Sequence, residues 1–147
     1  MTGRSGYGLG ETEALLDSGK VLGVGVDLAN VDLVRQAIVD FGERYLRRVF
    51  TTAELTYCLG QANPLAQFST LFAAKEATIK AISLADGEPK PSWTSMELQP
   101  GEEGSWELRL SGRAAEMAAS RGIDSFQVSI SHTSDLAAAI VVASGAE

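Results

Sequence analysis

Three stretches of the chain hold residue types able to do polar chemistry. The first ends on Asp27. In the run 21–28, Leu22, Val24, Val26 and Leu28 alternate with Val21, Gly23, Gly25 and Asp27. Alternation at period two predicts a buried strand. The two glycines strip the Asp27 side of the strand, so another backbone or a ligand can approach it closely. A carboxylate there is either a cap or turn residue or an oxygen ligand for a hard cation. Magnesium suits such a place, because it takes few protein oxygens and keeps waters or substrate phosphates.

The second stretch is Leu71-Phe72-Ala73-Ala74-Lys75-Glu76-Ala77-Thr78-Ile79-Lys80. On a helix, Leu65, Phe68, Phe72 and Ile79 form an apolar stripe with Glu76 inside it. A carboxylate on a buried face is costly unless it is paired or bound to a metal. Lys80 lies one turn further on. The two make either an i,i+4 pair, worth about 0.2–0.5 kcal/mol, or part of a cation site. The third stretch is Ser129-Ile130-Ser131-His132-Thr133-Ser134. His132 continues the Phe126, Val128, Ile130 face as the strand ends, with hydroxyls around it. Such a group either closes a polar hairpin turn or binds phosphate through side chains and turn amides.

The elements that must position these residues follow from local pattern. Asn30 is suited to cap a helix over 31–41, which Gly42 ends. A short helical piece at 43–49 follows, then a helix begun by Thr51 or Thr52 and running to 59. Pro64 opens the longest helix, 65–83. Residues 86–92 hold two prolines and form a loop. Residues 93–98 and 105–110 alternate as a hairpin around a turn at 100–104. Ser111 caps a helix to 121, and Gly122 ends it. Two further strands, 125–131 and 136–143, share a tight polar turn. One strand, several helices, a hairpin, a helix and a hairpin make an α+β domain. Its sheet is mainly antiparallel, with helices packed on it. Residues 1–20 are expected to be a flexible leading segment with a short helix at 11–16. Residues 21–147 are expected to form one domain.

Composition narrows the function. A net charge of −7 argues against a nucleic-acid surface. No apolar run reaches the roughly 20 residues that span a bilayer, and no apolar leader core is present. One cysteine, Cys58, and one histidine rule out a Cys/His zinc cluster. Cys58 is expected as a small core residue, and a cytoplasmic setting fits. Arg35, Arg44, Arg47 and Arg48 fall within fourteen positions. They make either a solvated face or a dock for an acidic partner.

Together these stretches resemble the holo-acyl-carrier-protein synthase family of 4′-phosphopantetheinyl transferases. Gly23-Val24-Gly25-Val26-Asp27-Leu28 matches the family's strand ending in Asp. Phe72-Ala73-Ala74-Lys75-Glu76-Ala77, followed by Lys80-Ala81, matches its signature helix. Arg48-Val49-Phe50-Thr51, with Glu54 and Cys58, matches the segment between them. Val128-Ser129-Ile130-Ser131-His132 matches the late strand. The order of these motifs, and the separation of the two acids by 49 positions, make the set specific.

The resemblance implies transfer of phosphopantetheine from coenzyme A to a serine of an acidic acyl or peptidyl carrier protein. It implies magnesium held by Asp27 and Glu76. Lys80, and also Lys75, would meet phosphate. Ser131, His132 and Thr133 would line the coenzyme A site, and Glu76 or a metal-bound water would be the base. It also implies a homotrimer with sites at subunit boundaries. Where the family commonly has arginine, this chain has Leu33 and Leu71; where an acid is usual it has Asn30. Residues 83–87 replace a glycine-rich continuation. The metal ligands are spared and two expected cations are absent. Arg35 or the Arg44, Arg47, Arg48 group would have to dock the carrier. The competing readings are a non-catalytic binding or assembly module on this fold, and another chemistry on carrier-bound substrates.

Overall fold

The computed structural model describes residues 19–84 and 87–146. The flexible segment expected at 1–20, with its helix at 11–16, lies outside these residues except for Gly19 and Lys20.

The chain starts with β1 (Lys20–Asn30), then α1 (Val31–Phe41), α2 (Glu43–Val49), α3 (Thr52–Leu59) and the long α4 (Pro64–Ile82). A hairpin follows, β2 (Met96–Pro100) and β3 (Trp106–Leu110), then α5 (Gly112–Ser120), β4 (Ser125–His132) and β5 (Leu136–Gly145). The main sheet is antiparallel in the order β1-β5-β4, and β2-β3 is a separate pair. This is the α+β arrangement the sequence predicts.

Local chemistry fixes most boundaries. Asn30 Oδ1 accepts from the amides of Asp32 at 2.9 Å and Leu33 at 3.2 Å, which starts α1. Gly42, at φ +54°, ends it and offers its carbonyl to the first amides of α2. Thr51 and Glu54 form a capping box at α3. Asn63 caps α4, with Pro64 in the first turn. Ser111 stands at the start of α5 but makes no side-chain cap bond.

Three expectations need correction. The alternation in β1 is right, and a backbone does approach its glycine side, but the strand is buried on that side only. The glycine side faces inward, onto the backbone of α4. A Cβ on Gly23 would sit 1.9 Å from the Ala81 carbonyl oxygen, and one on Gly25 1.8 Å from that of Ala77. No side chain fits there, so the apolar side is turned out, and Val24, Val26 and Leu28 are each more than half exposed. The strand also runs three residues past Asp27.

The second correction concerns α4, which is buried on most of its circumference. Leu65, Phe72 and Glu76 lie on its more open side. The alanines Ala73, Ala74, Ala77 and Ala81 are fully buried and carry the close contact with the sheet. Third, residues 93–95 form a 3₁₀ turn, and the strand begins only at Met96. The carbonyls of Trp93 and Met96 both turn toward Lys75 of α4. The core itself gathers Phe50, Leu71, Ile82, Met96 and Val141 between α4, the sheet and the hairpin.

Candidate active site

The β1–α4 contact brings Asp27 beside the exposed end of α4. Lys80 Nζ donates to Asp27 Oδ1 at 3.0 Å and to the Val26 carbonyl at 3.0 Å. Asp27 is mostly covered, while the Lys80 side chain is about half exposed. Lys80 therefore pairs across the strand and not with Glu76 along its own helix, and Asp27 is no helix cap. Among the described residues, Glu76 has no ion pair within 4 Å.

Glu76 lies one turn before Lys80 and is half-buried. Burial raises its carboxyl above the usual glutamate range, and the charge of Asp27 raises it further. Lys90 and Lys80 oppose this without cancelling it. The two acids are thus close enough for their charges to interact, and one of them resists ionising. Among the described residues, no third His, Cys, Asp or Glu joins them. An aspartate that shares one lysine and a glutamate with no ion pair of its own fit a hard cation that completes its shell with water and phosphate oxygens.

Lys75 does not go where the sequence reading sent it. Its side chain is fully buried, its Nζ 2.7 Å from Glu54 Oε1, 2.9 Å from the Trp93 carbonyl and 2.5 Å from that of Met96. Glu54 is equally buried and also accepts from the amides of Thr51 and Leu98. This saturated ion pair holds α3, α4 and the hairpin together, so the Lys75 ammonium meets no ligand. Cys58, also in the core, has its thiol pushed up to about 12, by burial first and then by the Glu54 charge.

The Ser-His turn is not brought to Asp27 within the chain. Asp27 is opposite Ala139, and His132 opposite Ala137 on the far side of β5. Two strand spacings, about 10 Å, separate the strands. Ser131, His132 and Thr133 are exposed. The Thr133 hydroxyl accepts from the amides of Leu136 at 3.1 Å and Asp135 at 3.3 Å, so it holds the turn. The Asp135 carbonyl in turn accepts from Val31, tying this turn to the start of α1.

The arginines divide. Arg35 is tied to Asp32 at 2.8 Å, and Arg47 lies 3.9 Å from Glu43. Arg44 and Arg48 instead border a cleft of about 410 Å³ between α2 and α4. Leu33, where the resembling family has arginine, is exposed on α1.

Two residues beside the acids escaped the sequence reading. Lys90 acts on Glu76 from the loop after α4; a lysine fixed between Pro89 and Pro91 was the available signal. Tyr45 sits inside the arginine run, where an aromatic is out of place on a merely solvated face. Its hydroxyl is pushed up to about 12, by burial first and then by the charge of Glu76.

The model of the 4′-phosphopantetheinyl transferase superfamily matches residues 23–141. The chain belongs to that superfamily. A holo-[acyl-carrier-protein] synthase of Koribacter versatilis is 36% identical over 122 residues, covering 83% of this chain and 97% of the relative. One from Chloroflexus aurantiacus is 39% identical over 131 residues, covering 81% and 95%. The crystal structure of Helicobacter pylori holo-[acyl-carrier-protein] synthase in complex with coenzyme A aligns with a TM-score of 0.67 at 25% identity. It covers 82% of this chain and 98% of that one. The chain is thus a phosphopantetheinyl transferase of the holo-[acyl-carrier-protein] synthase kind, and the enzyme reading stands over the non-catalytic module.

Proposed function

We propose that this transferase moves 4′-phosphopantetheine from coenzyme A to a carrier-protein serine at the Asp27–Glu76 pair, with magnesium held between the two acids. The observation that carries this is the pair itself: a covered aspartate bonded to Lys80, and a half-buried glutamate that feels the charge of both. The carrier serine oxygen bonds to the β-phosphorus, the bond from that phosphorus to the bridging oxygen breaks, and 3′,5′-ADP leaves. Magnesium would supply Lewis acidity and charge neutralisation to the diphosphate. Asp27 and Glu76 would hold it, and Lys80 and Lys90 would neutralise phosphate from the rim. The serine proton goes to Glu76 or to solvent. Lys75 braces α4 beneath the site.

The carrier is proposed to be acidic and to dock against Arg44 and Arg48, with Arg47 and Arg35 contributing less because Glu43 and Asp32 already face them. A homotrimer is proposed as well. Val24, Val26, Leu28 and Ile140 leave the outer face of the sheet apolar and open, a surface suited to a second copy. Ser131, His132 and Thr133 would then serve a neighbouring subunit's coenzyme A. No helix among the described residues is long and apolar enough to cross a membrane, and a cytoplasmic setting, in fatty acid or polyketide synthesis, is proposed.

The test is intact mass of an apo-carrier incubated with coenzyme A and magnesium. Phosphopantetheine addition is expected, and its loss in Asp27→Ala and Glu76→Ala. Full activity in both variants would sink the site. Calorimetry with coenzyme A, with and without magnesium, checks the ion. Sedimentation of Val26→Glu, expected to fall to monomer, checks the trimer.

A further inference from the structure

The last turn of α4 is held by a side chain from another element. Arg121 closes α5, and its partly buried guanidinium reaches the β1–α4 contact. Nη1 donates to the Ala81 carbonyl at 2.8 Å and to the Ser83 carbonyl at 3.4 Å, and Nη2 donates to the Leu22 carbonyl. A Cβ on Gly23 would lie 3.3 Å from Nη1, so the guanidinium sits against the bare strand as well.

The acceptors are carbonyls that regular structure leaves over. The register of β1 on β5 slips between Val21 and Gly23, which takes Leu22 out of the ladder. Ala81 lies in the last turn of α4, where carbonyls have no amide ahead of them within the helix. Among the described residues no carboxylate lies within 4 Å of Arg121. Its charge is therefore spent on backbone oxygens at the negative end of α4. A planar fork can bond carbonyls of two elements at once in fixed geometry, which a lysine ammonium does not reproduce.

The turn held in this way carries Lys80, which directly precedes Ala81, and leads into Ser83. Both border a cavity of about 340 Å³, together with Glu88 and Lys90. The Ser83 amide and hydroxyl both donate to the Ile79 carbonyl, at 3.0 and 2.5 Å, so they bind the turn only to its own helix. Arg121 binds the backbone of that turn to the backbone of β1. The Asp27–Glu76 pair lies toward the other end of the contact, where the Ala77 carbonyl packs on Gly25 with no side chain between them. That end is held without the arginine.

We infer that Arg121 is a positioning residue for donor binding: it fixes the last turn of α4 against β1, and so sets where Lys80 and Ser83 meet the phosphates of coenzyme A. The inference rests on the proposed placement of those phosphates at Lys80. Loss of the clamp weakens the grip on the donor and spares the chemical step.

The experiment measures kcat and KM for coenzyme A at saturating carrier, and calorimetric binding of 3′,5′-ADP, in Arg121→Gln and Arg121→Lys. Arg121→Gln is expected to raise KM for coenzyme A and Kd for 3′,5′-ADP about tenfold, with kcat within about twofold of the parent. Arg121→Lys keeps a charge at the helix end but not the fork, so it should recover melting temperature and leave most of the rise in KM. Hydrogen exchange locates the effect: the Ser83 amide should exchange faster in both variants, and the amides of 70–76 should not. A merely structural role would lower the active fraction, seen as reduced kcat at parental KM and Kd, and that result overturns the inference. Fully parental KM and Kd in Arg121→Lys overturn it too, and this variant decides alone if Arg121→Gln does not fold. Lys80→Ala separates the inference from the reading beneath it. Parental KM for coenzyme A in Lys80→Ala removes the placement of the phosphates and the inference with it. A raised KM there, beside a parental one in Arg121→Gln, overturns the inference alone.

Discussion

Lys75 and Lys80 stand five residues apart on one helix, and each meets an acid. Lys75 and Glu54 are both fully buried, and every contact they make is internal. Lys80 and Asp27 meet at the rim, with half of the lysine side chain in solvent and a third charged group, Glu76, close by. The buried pair is saturated and holds three elements together. The open pair is under-neutralised and faces the acid that resists ionising. The difference shows how one helix can carry brace and reagent at once: the brace has no bond to spare, and the reagent has charge left over.

The largest effect should come from breaking the brace. Lys75→Met leaves Glu54 buried and unpaired, a loss of about 3–5 kcal/mol, read as a fall in urea midpoint. The double change Lys75→Met with Glu54→Leu should recover much of that loss. If it does not, the pair matters for more than charge compensation. Next comes the open pair. Asp27→Asn should cut transfer by roughly 10²–10³-fold while the melting temperature stays near that of the parent. A large fall in stability would make Asp27 another brace and erase the contrast.

A smaller effect is expected at the contact that joins the two regions. Gly25→Ala places a methyl against the Ala77 carbonyl oxygen and should cost about 1–3 kcal/mol, with transfer reduced in the protein that remains folded. The smallest effect concerns Glu76 in the metal-free enzyme. Its folded pKa is raised, so it favours the folded state below the ordinary glutamate range and loses that contribution as pH rises through the raised value. Glu76→Gln should therefore melt slightly higher than the parent at pH 7, and the difference should vanish in acid. Magnesium added to the parent at pH 7 should close the same gap. A destabilised Glu76→Gln at neutral pH would show that the opening is already neutralised.

Much of this was legible in the sequence. Alternation placed β1, caps placed α1 and α3, and Pro64 with Asn63 placed the start of α4. The joint setting of Asp27 and Glu76 could be read from spacing and resemblance. What escaped depended on which partner filled which space. Periodicity shows that β1 has two faces but not which is covered, because a bare glycine face can be filled by backbone as well as by a ligand. The fate of Lys75 turned on Glu54, 21 positions earlier, and on carbonyls from a 3₁₀ turn that the pattern had read as strand. His132 matched its family motif, yet lies two strands from Asp27. The alanines of α4 are its contact surface with the sheet, which their general helix-forming tendency does not reveal.

The resting of α4 on bare strand has a mechanical consequence. Where most helices lie on sheets through side chains that can tilt and repack, this one meets its strand with carbonyl oxygen against glycine. Such a joint has almost no compliance. The distance between the strand that bears Asp27 and the helix that bears Glu76 becomes a fixed gauge, set by the thickness of two backbones. Repacking the core can change how firmly that gauge is held, but not the width it measures.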